Sequence, residues 1–334
     1  MNDATPQIEA IRALGYSEQE ARFLYLVATH SGYFVARQFL GFTGAHWGRR
    51  MTLFWTKLQA SQHAQIFRFA QGGTVYHLFS RTIYRQIGHE NLRNRREHEY
   101  EYIRTRIAML DFVLGNLANQ YLQTEPEKVT YFCSELKIHA HHLPSKTYSG
   151  RHMTQPTVRY FVDRSPMFFY PASEPRIVTF TFLQGPEANL AGFAHQLQAY
   201  LPLFRQLSEF NFLFLARNDA QFGKAAEVFR DLVTIPLQSN PAEDLLRYFK
   251  IRKAWDLALY GSVTEDDLIF RNLAKDRFRG SRFEHFYRAW KVARVSDQEI
   301  REELRGSDKP HIVRFEAQLL KAISASELES GEKR

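Results

Sequence analysis

Apolar residues recur every three to four positions over roughly the first sixty residues and then every second position, and that change of period organises the N-terminal part of the chain. Ile8, Ile11 and Leu14 fall at helical spacing before Gly15 breaks the run. Ser17 and Glu20 have capping-box spacing, which predicts a helix start, and Ala21, Phe23, Leu24, Val27 and Ala28 follow as one apolar face that stops near Gly32. A short helix is predicted over 35–40, a turn over 41–44, and a third helix over 45–60 with Trp47, Met51, Phe54, Trp55 and Leu58 as its apolar positions. Residues 65–70 and 74–79 then read as strands joined through Gln71, Gly72 and Gly73, a hairpin signal. Three helices followed by a hairpin predict a winged helix-turn-helix over 1–98.

Beyond it, 100–123 reads as one long helix, with Ile103, Ile107, Leu110, Val113, Leu114, Leu117 and Tyr121 along its stripe. The pattern then mixes strands (158–162, 167–170, 177–183, 210–216) with helices (188–204, 220–233), after a short apolar run at 129–132. Residues 139–156, polar and rich in His, Ser and Thr, read as a flexible loop, and from 241 the pattern is helical again. The expected organisation is α+β: the winged helix, a linking helix over 99–124, a small α/β domain over 125–240, a C-terminal helical region over 241–323, and a polar tail over 324–334.

Composition narrows the function. The chain has 334 residues, enough for two cores. Its net charge of +8 permits a polyanionic partner without requiring one. A single cysteine, Cys133, excludes an intrachain disulfide framework and a zinc site built on several cysteines. No signal-peptide pattern opens the sequence and no apolar run reaches membrane-spanning length, so a cytoplasmic protein with no membrane association is expected.

The distribution of charge says more than the total. Between positions 21 and 96 stand eleven Lys or Arg and one acid, Glu90. Each phosphate that such a surface neutralises releases counterions, so double-stranded DNA is the expected partner. The third helix carries His46, Arg49, Arg50, Thr52, Lys57 and Gln59 around its apolar stripe, with Arg49 and Arg50 early enough to reach base edges. Arg37, on the second helix of the motif, adds to this charge, Arg68 marks the wing, and Arg81, Arg85, Arg93, Arg95 and Arg96 extend the positive surface. The same residues would also suit a solvated helical domain, or a winged helix that binds protein.

Three short motifs add a family likeness. Tyr131–Phe132–Cys133–Ser134–Glu135, the run Ile177–Val178–Thr179–Phe180–Thr181–Phe182, and the segment Phe193 to Tyr200 with its Leu197-x-x-Tyr200 ending follow the basic N-terminal region in order. Over about 10–233 the chain resembles the replication-relaxation family of bacterial plasmids and mobile elements. That resemblance implies a restriction-endonuclease-like second half, whose active members hold a divalent metal with a hairpin Asp and strand carboxylates. Here Thr179 and Thr181 stand where the strand acid and its partner belong, while Asp163 and Glu135 are the acids left nearby. A non-catalytic domain, used for dimerisation or partner contact, is therefore expected.

Other chemistry is thin. His139, His141, His142 and His152 form the one histidine cluster, read as a polar loop rather than a zinc site. No Gly-x-Ser-x-Gly turn and no phosphate-binding Gly-x-x-x-x-Gly-Lys-Ser/Thr sequence occurs. Arg271, Lys275, Arg277, Arg279 and Arg282 make a second basic cluster. The expected function is a homodimeric, non-enzymatic DNA-binding protein without cofactor, metal or catalytic residues, acting as a transcriptional regulator or accessory factor of a mobile element. A replication initiator and a metal-dependent nuclease using Glu135 and Asp163 are the alternatives.

Overall fold

The computed structural model describes residues 4–44, 49–69, 73–149, 156–163, 165–171, 175–185, 189–238, 241–278, 280–304 and 311–320. The chain is α+β and divides into two compact units, Met1–Phe229 with Val313–Arg334, and Arg230–Ile312.

The first unit opens with α1 (Thr5–Arg12), α2 (Glu18–His30), β1 (Tyr33–Phe34), α3 (Ala36–Thr43), α4 (Arg49–Ala60), β2 (Ala64–Phe69) and β3 (Gly73–Leu78). The start of α2 is the expected box: the Glu20 N–H donates to Ser17 Oγ at 3.3 Å, and the Ser17 N–H to the Glu20 carboxylate at 2.8 Å. Two backbone donors that helix geometry leaves unbonded are thereby satisfied. β1 and β2 both pair antiparallel with β3, giving the sheet order β1-β3-β2. One face of this sheet rests through Ala64, Tyr76 and Leu78 on a core that includes Phe23, Phe34, Phe39 and Phe54. The other face presents Phe67, Phe69 and Val75 to Ile103 and Ile107. Gly32 turns the chain from α2 into β1 at φ +84°, and a Cβ there would stand 2.1 Å from the Asn94 carbonyl oxygen. Only glycine fits that turn.

After α5 (Arg81–Gln86) comes α6 (Tyr100–Gly115), which packs on three sides. Ile103 and Ile107 meet the small sheet, Leu110 and Leu114 the aromatic core, and Ala108, Met109, Phe112 and Val113 a second, larger sheet. The linking helix expected over 99–124 is shorter in the structure. It ends at Gly115, and Gln120–Tyr121 form β4, because that segment hydrogen-bonds as an edge strand to residues 168–169.

The larger sheet follows. After α7 (Glu125–Val129) and a π-helical turn (Thr130–Glu135) come β5 (Ser145–Tyr148), β6 (Thr157–Tyr160), β7 (Met167–Phe169), β8 (Val178–Leu183), α8 (Ala191–Phe204), β9 (Glu209–Ala216) and α9 (Phe222–Phe229). The second unit contributes α10 (Ile235–Gln238), α11 (Pro241–Asp256), α12 (Glu265–Arg277), α13 (Ser281–Lys291) and α14 (Asp297–Glu303), before β10 (Ile312–Leu319) joins the sheet. Its order is β10-β9-β8-β7-β4, antiparallel from β4 through β8 and parallel between β8 and β9, with α8 as the crossover. Phe180, Phe182, Phe212 and Phe214 face α8, where Phe193, Tyr200 and Phe204 meet them, and Leu183, Leu213 and Leu215 face α6. Burial on both faces explains why β9 is an almost unbroken apolar run.

Two expectations change here. Four residues of the loop expected over 139–156 form a strand, since β5 pairs with β6 from Ser145↔Tyr160 to Tyr148↔Thr157, and 150–155 lie outside the described residues. The helical region expected to reach 323 contains β10 instead, whose alternation of Val313, Phe315 and Ala317 with Arg314, Glu316 and Gln318 has the period of a strand. In the second unit, taken by itself, α11 packs against α12, α13 and α14 around Leu245, Leu246, Phe249, Tyr287 and Ile300.

Two buried imidazoles make the first unit acid-sensitive. Burial, then the charges of Arg106 and Lys128, hold His30 down to about 3, and burial holds His77 down to about 4. The unfolded chain takes up these protons near 6.5, so stability is present above that pH and is lost as pH falls toward 3 to 4. At about 1.4 kcal/mol per unit the loss by pH 4 is on the order of several kcal/mol. The urea midpoint should therefore drop steeply between neutral pH and pH 4, and the drop should shrink in His30→Gln and His77→Gln. A midpoint flat over that range would contradict it.

Candidate nucleic-acid interface

The surface of α4 follows from its periodicity. Met51, Phe54 and Leu58 turn inward and are buried, so Arg49, Thr52, Leu53, Thr56 and Gln59 line the opposite side and are exposed. Among the described residues Arg49 has no carboxylate partner. Leu53, 49% exposed, is an apolar side chain amid these polar groups, which the sequence pattern did not single out. His46 lies outside the described residues.

Arg50 and Lys57 sit one position round the helix, against the first turn of α2. Arg50 donates to the Gln19 side-chain oxygen, an uncharged partner. Lys57 instead pairs at 2.8 Å with Glu20, the carboxylate that closes the α2 cap. Arg68 is exposed on β2, on the sheet face that also carries Ile66 and Tyr76, and Tyr76 lies 5.1 Å from Trp55 of α4. Arg68 and α4 thus belong to one side of the sheet.

The remaining expected residues are placed elsewhere. Arg37 reaches α6, where its two terminal nitrogens bind both oxygens of Asp111 at 2.8 Å with each side chain about one-sixth exposed. That bidentate pair joins α3 to α6 and takes Arg37 off the open surface. Arg81 and Arg85 share Glu90, whose carboxyl they hold below the usual carboxylate range. Arg93 stacks on Tyr148 at 5.0 Å, while Arg95 is half-buried and Arg96 exposed. The Arg93–Arg95 turn is tied to the last turn of α2 by Asn94, which donates to the Ala28 and Thr29 carbonyls at 2.9 and 3.0 Å. Arg50 and Lys57 pack near the opposite end of that helix, on Gln19 and Glu20, about 12–15 Å along its axis from Ala28 and Thr29. The eleven cations therefore do not form one face. Arg49, Arg50 and Arg68 form the part centred on α4.

The sequence reading overlooked Arg104 and Arg217, which meet near Arg37 and Asp111 and line a cleft of about 340 Å³ with Gln184 and Gln221. Burial and then Arg104 lower the Arg217 guanidinium from its ordinary value. These residues come from α6 and the end of β9, so nothing local in the sequence joins them.

The positions matched to a nuclease centre hold neutral, engaged groups. Thr179 accepts from Asn211 at 3.3 Å, and Thr181 donates to the Pro166 carbonyl at 2.6 Å. Asp163 accepts the Ser165 N–H at 3.1 Å, and it raises the Tyr200 hydroxyl further above its ordinary value than burial alone does. Glu135 is exposed on the π-helical turn and Cys133 beside it is half-buried. His139 and His141 touch through their Nδ1 atoms at 2.6 Å, and His152 lies outside the described residues. Among the described residues no three His, Cys, Asp or Glu side chains are grouped to hold a metal, and no helix is long and apolar enough to cross a membrane. No family model, curated protein or solved structure gives a significant match to the chain.

Proposed function

We propose that residues 4–78 form a winged-helix module that binds double-stranded DNA, with α4 in the major groove and the β2–β3 hairpin as the wing. The observation that carries this reading is the exposed stripe Arg49, Thr52, Leu53, Thr56 and Gln59 on a helix whose other side is locked into an aromatic core. Arginine, threonine and glutamine supply donors and acceptors for base edges, and leucine suits a thymine methyl. The order helix, strand, helix, helix, hairpin supports it further. The larger sheet serves as a non-catalytic scaffold, a reading supported by the engaged threonines 179 and 181 where carboxylates would be needed. Ile269 and Leu273, one turn apart on α12 and both more than half exposed, support a homodimer. The whole is a transcriptional regulator or accessory factor of a mobile genetic element.

Selection of bound duplexes from a random library, followed by fluorescence anisotropy, tests the reading. A recurring sequence is expected, with affinity falling steeply as salt rises. Failure to bind any duplex at low salt would overturn it. Mapping bound sites in the host genome separates promoters, expected of a regulator, from an origin, expected of a replication factor.

A further inference from the structure

Between the end of α2, the segment 88–94, and residues of 121–129, 159–162 and 165–166 lies a cavity of about 600 Å³, all within the first unit. That volume is in the range of small-molecule sites. Its wall includes three side chains that the DNA-binding reading does not use: His30, Arg106 and Lys128.

Each is enclosed. Arg106 and Lys128 are 3% and 4% exposed. Arg106 donates to the carbonyls of His30 and Ser31, and Lys128 to that of Ser165 at 3.1 Å. His30 is 8% exposed, and its buried Nε2 has no hydrogen-bond partner. A folded protein seldom leaves a buried polar atom unbonded without an occupant to meet it. The acids of the wall are already engaged, Glu90 by Arg81 and Arg85, and Glu125 by Arg159 and the Tyr160 N–H. Arg93 adds a further cation at the wall. Thr29, Asn91 and Gln123 supply uncharged polar groups around it.

We propose that this cavity is a binding site for a small oxyanion-bearing metabolite, a phosphate or carboxylate compound, held by Arg106, Lys128 and the Nε2 of His30. The site stands on its own geometry and does not depend on the chain binding DNA. The anion is drawn by the charges of Arg106 and Lys128 at the wall, and His30 as the Nε2–H tautomer donates to one of its oxygens. The neutral remainder of the molecule occupies the space toward Gln123 and Asn91.

The test uses three probes on the full chain: inorganic phosphate, adenosine monophosphate and citrate, each titrated to about 10 mM by calorimetry and thermal shift. At least one should bind and raise the melting temperature. Phosphate or the nucleotide binding alone assigns a phosphate compound, and citrate alone a carboxylate one. His30→Gln and Lys128→Met should each weaken the bound probe about tenfold. The histidine C2–H signal of His30, followed by NMR in the unaltered chain, should shift on addition. It keeps the test decisive if a variant fails to fold. Absence of binding by all three probes, or binding that moves neither the variants' affinities nor that signal, would sink the proposal.

Discussion

Replacing Arg49 and Arg50 together with alanine is expected to weaken binding to the selected duplex by about 10²- to 10³-fold while leaving the fold intact. Both side chains are exposed at the start of α4, and the only bond that either makes among the described residues is from Arg50 to Gln19. Their removal therefore takes away charge and donors without opening a cavity. A bidentate arginine contact to a guanine is worth about 1–3 kcal/mol, and a phosphate contact adds about 0.9 to the salt slope. The two roles separate in one experiment. If both arginines read bases, discrimination between the selected and a scrambled duplex collapses with the salt slope little changed. If both hold phosphates, affinity falls on every duplex and the slope declines by nearly two. Unaltered affinity and slope, with an unaltered circular dichroism spectrum, would remove α4 from the interface.

Phe54→Ala should have the largest effect on stability, about 3–5 kcal/mol, read as a lower urea midpoint of the first unit. Phe54 is fully buried. Its ring stacks on Phe39 at 4.0 Å and lies within 6.3 Å of Phe23, Phe34 and Tyr16. These rings come from α2, β1, α3 and the segment before α2, so no single neighbour can relax into the space. With typical domain stabilities of about 5–15 kcal/mol, the loss is a large share of the whole. Because Phe54 anchors the side of α4 opposite Arg49 and Thr52, DNA binding should fall in parallel with the folded fraction. A loss below about 1 kcal/mol would show that the aromatic cluster tolerates a cavity and does not hold α4 in place.

Local periodicity carried much of the first unit. The Ser17–Glu20 box, the 51–54–58 stripe of α4 and the hairpin of β2 and β3 are each encoded within a few residues, so backbone geometry and burial of one face settle them. β1 was not legible, since two residues make a strand only when β3 is there to pair with them. The same holds for β4, where a helical stripe continues through Tyr121 in the sequence but the edge of a sheet takes that segment instead. β10 did carry a two-residue alternation, and its joining the sheet next to β9 depends on a partner about a hundred residues earlier.

The candidate sites divide along the same line. The basic character of 21–96 and the exposure of Arg49 and Arg50 belong to the sequence, because charge count and helical phase are local. That Arg37 binds Asp111, that Lys57 is taken by Glu20, and that Arg93 and Arg95 pack at the far end of α2 were decided by the tertiary structure. So was the meeting of His30, Arg106 and Lys128 around one cavity. A residue's type determines what it can bond, but the partner it bonds depends on which distant segments folding brings within about 3 Å of it.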